Sequence, residues 1–244
     1  MNYLKRLSWV LCLYWGAMVS IAGAGERPPS EHSTARAEPY RLPLPPAYEY
    51  APPPMLPRAP HYSIWVGVRP ALVAYGGAFS RDQEDRLETT GNFVNTGGGL
   101  QIDIGARVWT GQVVPFLFGE YHWLGVGRRF EGMADASAYD RVLGGGFRGV
   151  FGDIDRGGLI LEYSIGHRVV GINQSNDKGK LSGFEFLRFG LGAEIRFTDL
   201  FTLSPLVSFI AASMNQQEGQ SIQSAPYYYV LSVACGAHFD LFGK

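Results

Sequence analysis

Strict two-residue alternation of apolar and polar side chains is the feature that most narrows what this chain can become. Between 100 and 108, Leu100, Ile102, Ile104, Ala106 and Val108 fall on one face, and Gln101, Asp103, Gly105 and Arg107 on the other. A period of two over that length describes a β-strand with one apolar and one polar face. Residues 187 to 197 repeat the split, with Leu187, Phe189, Leu191, Ala193, Ile195 and Phe197 opposite Arg188, Gly190, Gly192, Glu194 and Arg196. So do residues 159 to 169, and residues 227 to 241, where Tyr229, Leu231, Val233, Cys235, Phe239 and Leu241 oppose Ser232, Gly236, His238 and Asp240. Four further segments, 62 to 75, 113 to 124, 138 to 151 and 201 to 212, alternate less regularly. Pro70, Pro115 and Pro205 interrupt three of these, each at the loss of a ladder bond. Eight strands are predicted, each of about nine to fourteen residues, enough to cross a bilayer at the usual tilt.

The connections between these strands alternate long and short. The long ones run from Gly76 to Gly98, Gly125 to Ser137, Gly171 to Gly183 and Asn215 to Ala225; the short ones from Thr110 to Gln112, Gly152 to Gly157 and Thr198 to Leu200. An up-and-down antiparallel barrel in an outer membrane has this asymmetry, with short periplasmic turns and longer external loops. Aromatic residues fall at two levels of the apolar face. Tyr62, Phe151, Phe197 and Phe239 lie toward the turns, and Tyr121, Trp123, Tyr139, Tyr227 and Tyr229 toward the loops, as two headgroup-level girdles require.

The start of the chain has the three parts of an export signal: Lys5 and Arg6, an apolar run from Leu7 to Ala22, and the small residues Ala22, Gly23 and Ala24. Cleavage is predicted after Ala24, which shifts the net charge from −1 to −3 and gives no reason to expect nucleic acid as a partner. Residues 28 to 60 hold eleven of the fifteen prolines. Proline has no donor for a ladder and fixes φ, so residues 25 to 60 are predicted to be a disordered, extended periplasmic linker. Residues 61 to 244 are the predicted barrel. Cys235 is then the one cysteine, which allows neither an internal disulfide nor a credible zinc site, and no cofactor is expected.

With the strands and the terminal residues Gly236, Phe239 and Leu241 in view, residues 61 to 244 resemble the barrel domain of the OmpA-like and OmpX-like outer-membrane families. The resemblance implies an all-β fold, an eight-stranded antiparallel up-and-down transmembrane β-barrel, in the bacterial outer membrane. It also implies contact with outer-membrane lipid and lipopolysaccharide, and insertion by the barrel-assembly machinery through that terminal-strand pattern. Many OmpA-like proteins carry a peptidoglycan-binding domain after the barrel; none is expected here beyond the last predicted strand, and any periplasmic or peptidoglycan contact is expected through the Pro-rich segment.

In such a barrel the polar face is the interior. There Arg107, Arg148, Arg168, Arg188 and Arg196 meet Asp103, Glu120, Glu162 and Glu194, with His122 beside them, as a mutually neutralising plug. Arg141 and His167 fall on the lipid side near the loop rim, where long side chains snorkel. Two alternatives stay open. A soluble barrel of lipocalin type has the same period with inside and outside exchanged and an apolar ligand within. Some small barrels are enzymes that modify lipopolysaccharide with His beside Ser or Asp. Here His167 and Ser164 lie on opposite faces of one strand, so no catalytic residue is nominated. The expected role is non-enzymatic, structural or in surface interaction through four external loops.

Overall fold

The first and last long strands are hydrogen-bonded to each other. The computed structural model describes residues 58–81, 87–133, 135–174, 177–217, 219–221 and 226–243. In it β1 (Ser63–Arg81) pairs with β3 (Val94–Arg107), and the ladder continues through β4 (Val113–Val126), β5 (Ser137–Asp153), β6 (Gly157–Gln174), β7 (Asp177–Arg196) and β8 (Phe201–Gln217). β8 pairs with β10 (Tyr227–Leu241), and β10 returns to β1 in a seam from Ile64↔Leu241 to Gly77↔Tyr228. Every pairing is antiparallel, so the eight long strands close an up-and-down barrel with no free edge, which removes the liability of unpaired backbone groups. Two short strands, β2 (Leu87–Thr89) and β9 (Gln220–Ser221), and a one-turn helix α1 (Thr90–Phe93) decorate the loop end. The predicted signal segment and residues 25–57 of the Pro-rich segment lie outside the described residues.

Three short turns, 108–112, 154–156 and 197–200, join strands at the other end. Residues 58–60, the last of the Pro-rich stretch, bind to these turns. The Arg58 amide donates to Asp199 Oδ1 at 2.8 Å, and the Ala59 amide to Asp155 Oδ1 at 2.8 Å. The Pro60 carbonyl sits so close to Gly111 that a Cβ there would lie 2.9 Å away, and Gly111 has φ +85° besides, so the turn needs glycine at this position.

Apolar side chains face outward along the middle of the barrel: Leu143 is 72% exposed and Phe147 62%. All nine predicted girdle residues are on this exterior. Phe239 and Tyr229 are ten residues apart on β10, about 33 Å along a strand, or about 25 Å of height at the usual tilt. The interior at the same levels holds buried Arg, Glu, Asp, Ser and Thr beside a smaller apolar cluster of Trp65, Val114, Phe116, Phe118 and Val142 on β1, β4 and β5.

Toward the loop end this polarity reverses. On β6 the inward Glu162, Ser164 and Arg168 give way to Val170 and Ile172, while the outward Leu159, Leu161 and Ile165 give way to His167, Gly171 and Asn173. On β8 inward Thr202, Ser204 and Ser208 give way to Ile210, Ala212 and Met214. These inward residues pack with Val73, Phe79, Leu124, Leu181, Tyr228 and Val230 into an apolar core, and Phe93 of α1 and Phe130 of a 3-10 turn (Arg128–Phe130) pack against it. The loop end is therefore built like a water-soluble β-barrel standing on the lower part.

Two expectations are corrected here. Six of the long strands run 15 to 20 residues, beyond the expected nine to fourteen, while β3 and β4 stand at its upper end with 14. The segment from Gly171 to Gly183, expected to be a loop, is paired ladder through Gly171↔Lys180 and Ile172↔Gly179 to Gln174↔Asp177. The physical reason is the reversal itself: a strand whose apolar face changes sides midway no longer shows one continuous alternation. Replacing the fully buried Phe79, which packs edge-on to Tyr228 at 4.9 Å, removes part of this upper core. Phe79→Ala is expected to cost about 3–5 kcal/mol, measured as a lower urea midpoint for the refolded protein.

Candidate functional site

The interior below the apolar core holds six arginines and seven carboxylates among the described residues, and they sort into three layers. Nearest the turns, Arg107 Nε donates to Asp240 Oδ1 at 2.9 Å and its Nη2 to Glu194 Oε1 at 3.0 Å. Arg196 Nη2 donates to Asp240 Oδ2 at 2.9 Å. Both arginines also donate to turn carbonyls, Arg107 to Gly111 at 2.7 Å and Arg196 to Ile154 at 3.2 Å and Asp199 at 3.0 Å, so this layer ties the three turns to the barrel wall.

In the middle layer Glu162 is shared. Arg69 Nη1 donates to its Oε1 at 3.0 Å and Arg148 Nη2 to its Oε2 at 2.7 Å, while Arg69 Nη2 reaches Asp103 Oδ2 at 3.0 Å. The planar guanidinium fork suits this, because it donates in two directions at once. The Trp65 ring lies under Arg148, 4.5 Å from the guanidinium carbon, and stacks on His238 at 4.2 Å with a 15° tilt. That stack occupies the space over Gly67 and Gly236, where any Cβ would collide with the imidazole.

The upper layer joins Arg168 to Asp140 and, at 2.7 Å, to Glu185 Oε2; Arg188 pairs with Glu120, Nη2 to Oε2 at 2.8 Å, and its Nε donates to Glu185 Oε1 at 2.6 Å. His122 Nδ1 lies 3.2 Å from Asp140 Oδ2, and the Tyr75 hydroxyl donates to the same carboxylate. Gln101 links the layers by donating to Asp103 and accepting from Arg188 Nη1 at 3.3 Å. A charge buried alone costs several kcal/mol, so each layer holds its cations and anions in near balance.

All ten luminal residues named from the sequence are buried here and take part in these contacts: Asp103, Arg107, Glu120, His122, Arg148, Glu162, Arg168, Arg188, Glu194 and Arg196. Arg69, Asp140, Glu185 and Asp240 belong to the same network, and His238 lies beside it. Asp140 shares parity with Arg148, and Asp240 was already on the polar face, so the alternation carried a signal for both. Glu185 and Arg188 are three apart and both point inward, which parity forbids without an extra residue; a register shift between Glu185 and Leu187 supplies it. Arg69 adjoins Pro70, at the point where the β1–β10 pairing lapses between Val68 and Ala71.

His167 is exposed and Ser164 buried, so these two are not brought together. Among the described residues no group of three or more His, Cys, Asp or Glu could hold a metal ion. The place of a lipocalin ligand is taken by the paired charges, and the apolar face points outward.

No protein-family model and no curated protein sequence matches the chain. Among solved structures it is similar to the Neisserial surface protein A, at 8% identity over 72% of this chain and 97% of that one, with a TM-score of 0.49. It is also similar to Ail, the attachment invasion locus protein of Yersinia pestis, at 11% identity over 74% and 99%, TM-score 0.41. A third similarity is to the N-terminal β-barrel domain of Pseudomonas aeruginosa OprF, at 14% identity over 73% and 99%, TM-score 0.39. The chain's own strand pairing defines its fold, a closed eight-stranded antiparallel barrel, which is the fold that the resemblance to the OmpA-like and OmpX-like families implies.

Glu162→Gln leaves Arg69 and Arg148 facing one carboxylate where there were two. A loss of about 3–5 kcal/mol in unfolding free energy is expected, read from denaturant titration in vesicles. Gly67→Ala, which drives a methyl into His238, is expected to destabilise by about 1–3 kcal/mol. Gly119→Ala, with nothing within 4 Å of the added carbon, is the matched control and should be near neutral.

Proposed function

We propose that the chain is a non-enzymatic β-barrel of a bacterial outer membrane, a closed scaffold that supports the envelope and presents its loop end to the cell's surroundings. One observation carries this: a band of outward apolar side chains about 25–30 Å high, bounded by aromatic residues at both ends, encircles a barrel whose interior charges neutralise one another. Lipid requires every backbone polar group to be paired within the protein, and a closed ladder meets that requirement. The three short turns then lie in the periplasm and the loop end outside, which agrees with export by a cleavable signal over residues 1–24.

The lumen is filled at three levels by ion pairs and above them by the apolar core, so the scaffold works as a plug and not as an open pore. The upper core supports surface recognition, because it stiffens strands that rise beyond the membrane. β7 continues seven residues past Phe184, which stands level with Tyr227 through Ser213. That is about 23 Å of strand. Loops on so rigid a stem suit contact with a surface partner. Insertion by the barrel-assembly machinery, lipopolysaccharide as the surrounding lipid, and periplasmic or peptidoglycan contact through the Pro-rich segment complete the proposal.

The test is fractionation followed by electrophoresis with and without boiling. The protein is expected in the outer-membrane fraction with a mobility that changes on boiling, and without stable open-pore steps in planar bilayers. Recovery from the soluble periplasm would overturn the membrane assignment. A deletion strain unchanged in adhesion, detergent sensitivity and permeability would remove the envelope and surface role.

A further inference from the structure

Six arginines point into the barrel and each is paired with a carboxylate, but Arg141 points out and has no ion pair among the described residues. Its guanidinium carbon lies 4.8 Å from the centroid of the Tyr139 ring and 5.5 Å from that of Tyr121. Those two rings are stacked, 3° from parallel with centroids 6.1 Å apart, and Trp123 stands edge-on to Tyr121 at 5.0 Å. Ring faces attract the cation without accepting its N–H groups, so the donors along the edge of the guanidinium stay available.

The ladder brings two more nitrogen-bearing side chains beside it. Tyr139 pairs with Gly171, which pairs with Lys180, and a Cβ at Gly171 would collide with the Tyr139 ring. Arg141 is one rung lower, opposite Val169, and His167 one rung lower again. Arg141 thus has His167 diagonally below it on β6 and Lys180 above it on β7, and all three are exposed. Two strand spacings and one step of two residues along the strand separate Arg141 from Lys180, about 12 Å between their Cα atoms. Among the described side chains on the outward faces of these three strands, the one carboxylate is Asp153, at the turn end. Directly beneath the cations, Leu143, Phe147, Tyr163 and Ile165 face outward as a continuous apolar surface.

We propose that this face binds the phosphate-bearing headgroup of an outer-leaflet lipid. Arg141, held against the Tyr121 and Tyr139 rings, donates to one anionic group; Lys180 takes a second; the acyl chains lie along Leu143, Phe147 and Ile165. The apolar surface below the cations is what selects a lipid over free phosphate. This site rests on the assignment of the chain as a membrane barrel.

The test uses the full chain refolded into phosphatidylcholine vesicles with and without lipid A, read by native mass spectrometry of retained lipid and by the temperature at which the heat-modifiable band is lost. Wild type is expected to retain lipid A and to lose the folded band at a higher temperature when lipid A is present. The double variant Arg141→Gln/Lys180→Gln is expected to weaken retention by about tenfold or more and to abolish that shift, while still giving a heat-modifiable band. Arg128→Gln, which removes an exposed loop arginine, should behave as wild type. Equal retention by the double variant, or the same thermal shift from millimolar inorganic phosphate alone, would overturn the site. A wild-type protein with no heat-modifiable band at all would remove the membrane barrel on which the site depends.

Discussion

Charge neutralisation inside a space too narrow for bulk water governs the rest of this structure. An eight-stranded barrel leaves a lumen that side chains must fill, and here ion pairs fill it together with a smaller apolar cluster around Trp65, Phe116 and Phe118. Arginine and carboxylate meet that need because one guanidinium serves two acceptors, as Arg69 does with Asp103 and Glu162, and one carboxylate serves two donors, as Glu162 does with Arg69 and Arg148. The glycines of the polar face follow from the same need. Gly67 and Gly236 leave the volume that the Trp65–His238 stack takes up, and that stack supports Arg148 from below.

The barrel reverses the polarity of its two faces along its own axis. In the lower part the outward residues are apolar and the interior holds the ion pairs beside the cluster around Trp65 and Phe118. In the upper part the interior becomes the apolar core around Phe79, Ile172 and Met214, and the outer face becomes Lys180, Ser182 and Asn173. One continuous ladder carries both arrangements, so the loop end inherits the closed geometry of the lower barrel without needing a separate domain. The boundary between the two regimes, on the outer surface, is where Arg141 lies against the rings of Tyr121 and Tyr139.

Much of the luminal network was legible in the sequence because parity is a strong code where one face is apolar and the other carries charge. Asp103, Arg107, Glu162 and Arg168 could be placed inward from their neighbours alone. Parity failed at Glu185, where a bulge adds a residue, and it was obscured at Arg69 by the adjacent proline. It also ended the strands too early. Between Gly171 and Gly183 the apolar positions move to the inner face, so the alternation that had signalled a strand breaks its phase while the hydrogen-bonded ladder goes on.

What the sequence determined by itself is the class of surface each strand presents: a two-residue period over eight segments, short and long connections in turn, and aromatic residues at two levels. Those are local properties, set by the geometry of an extended chain, and they survive without knowledge of any neighbour. Which arginine meets which carboxylate was decided only by the tertiary structure. Arg69 and Glu162 are 93 positions apart, and Ser63 and Asp240 are 177 apart. Their meeting depends on the register of every strand between them and on the closure of β1 onto β10, and a single bulge in one ladder shifts every inward residue beyond it.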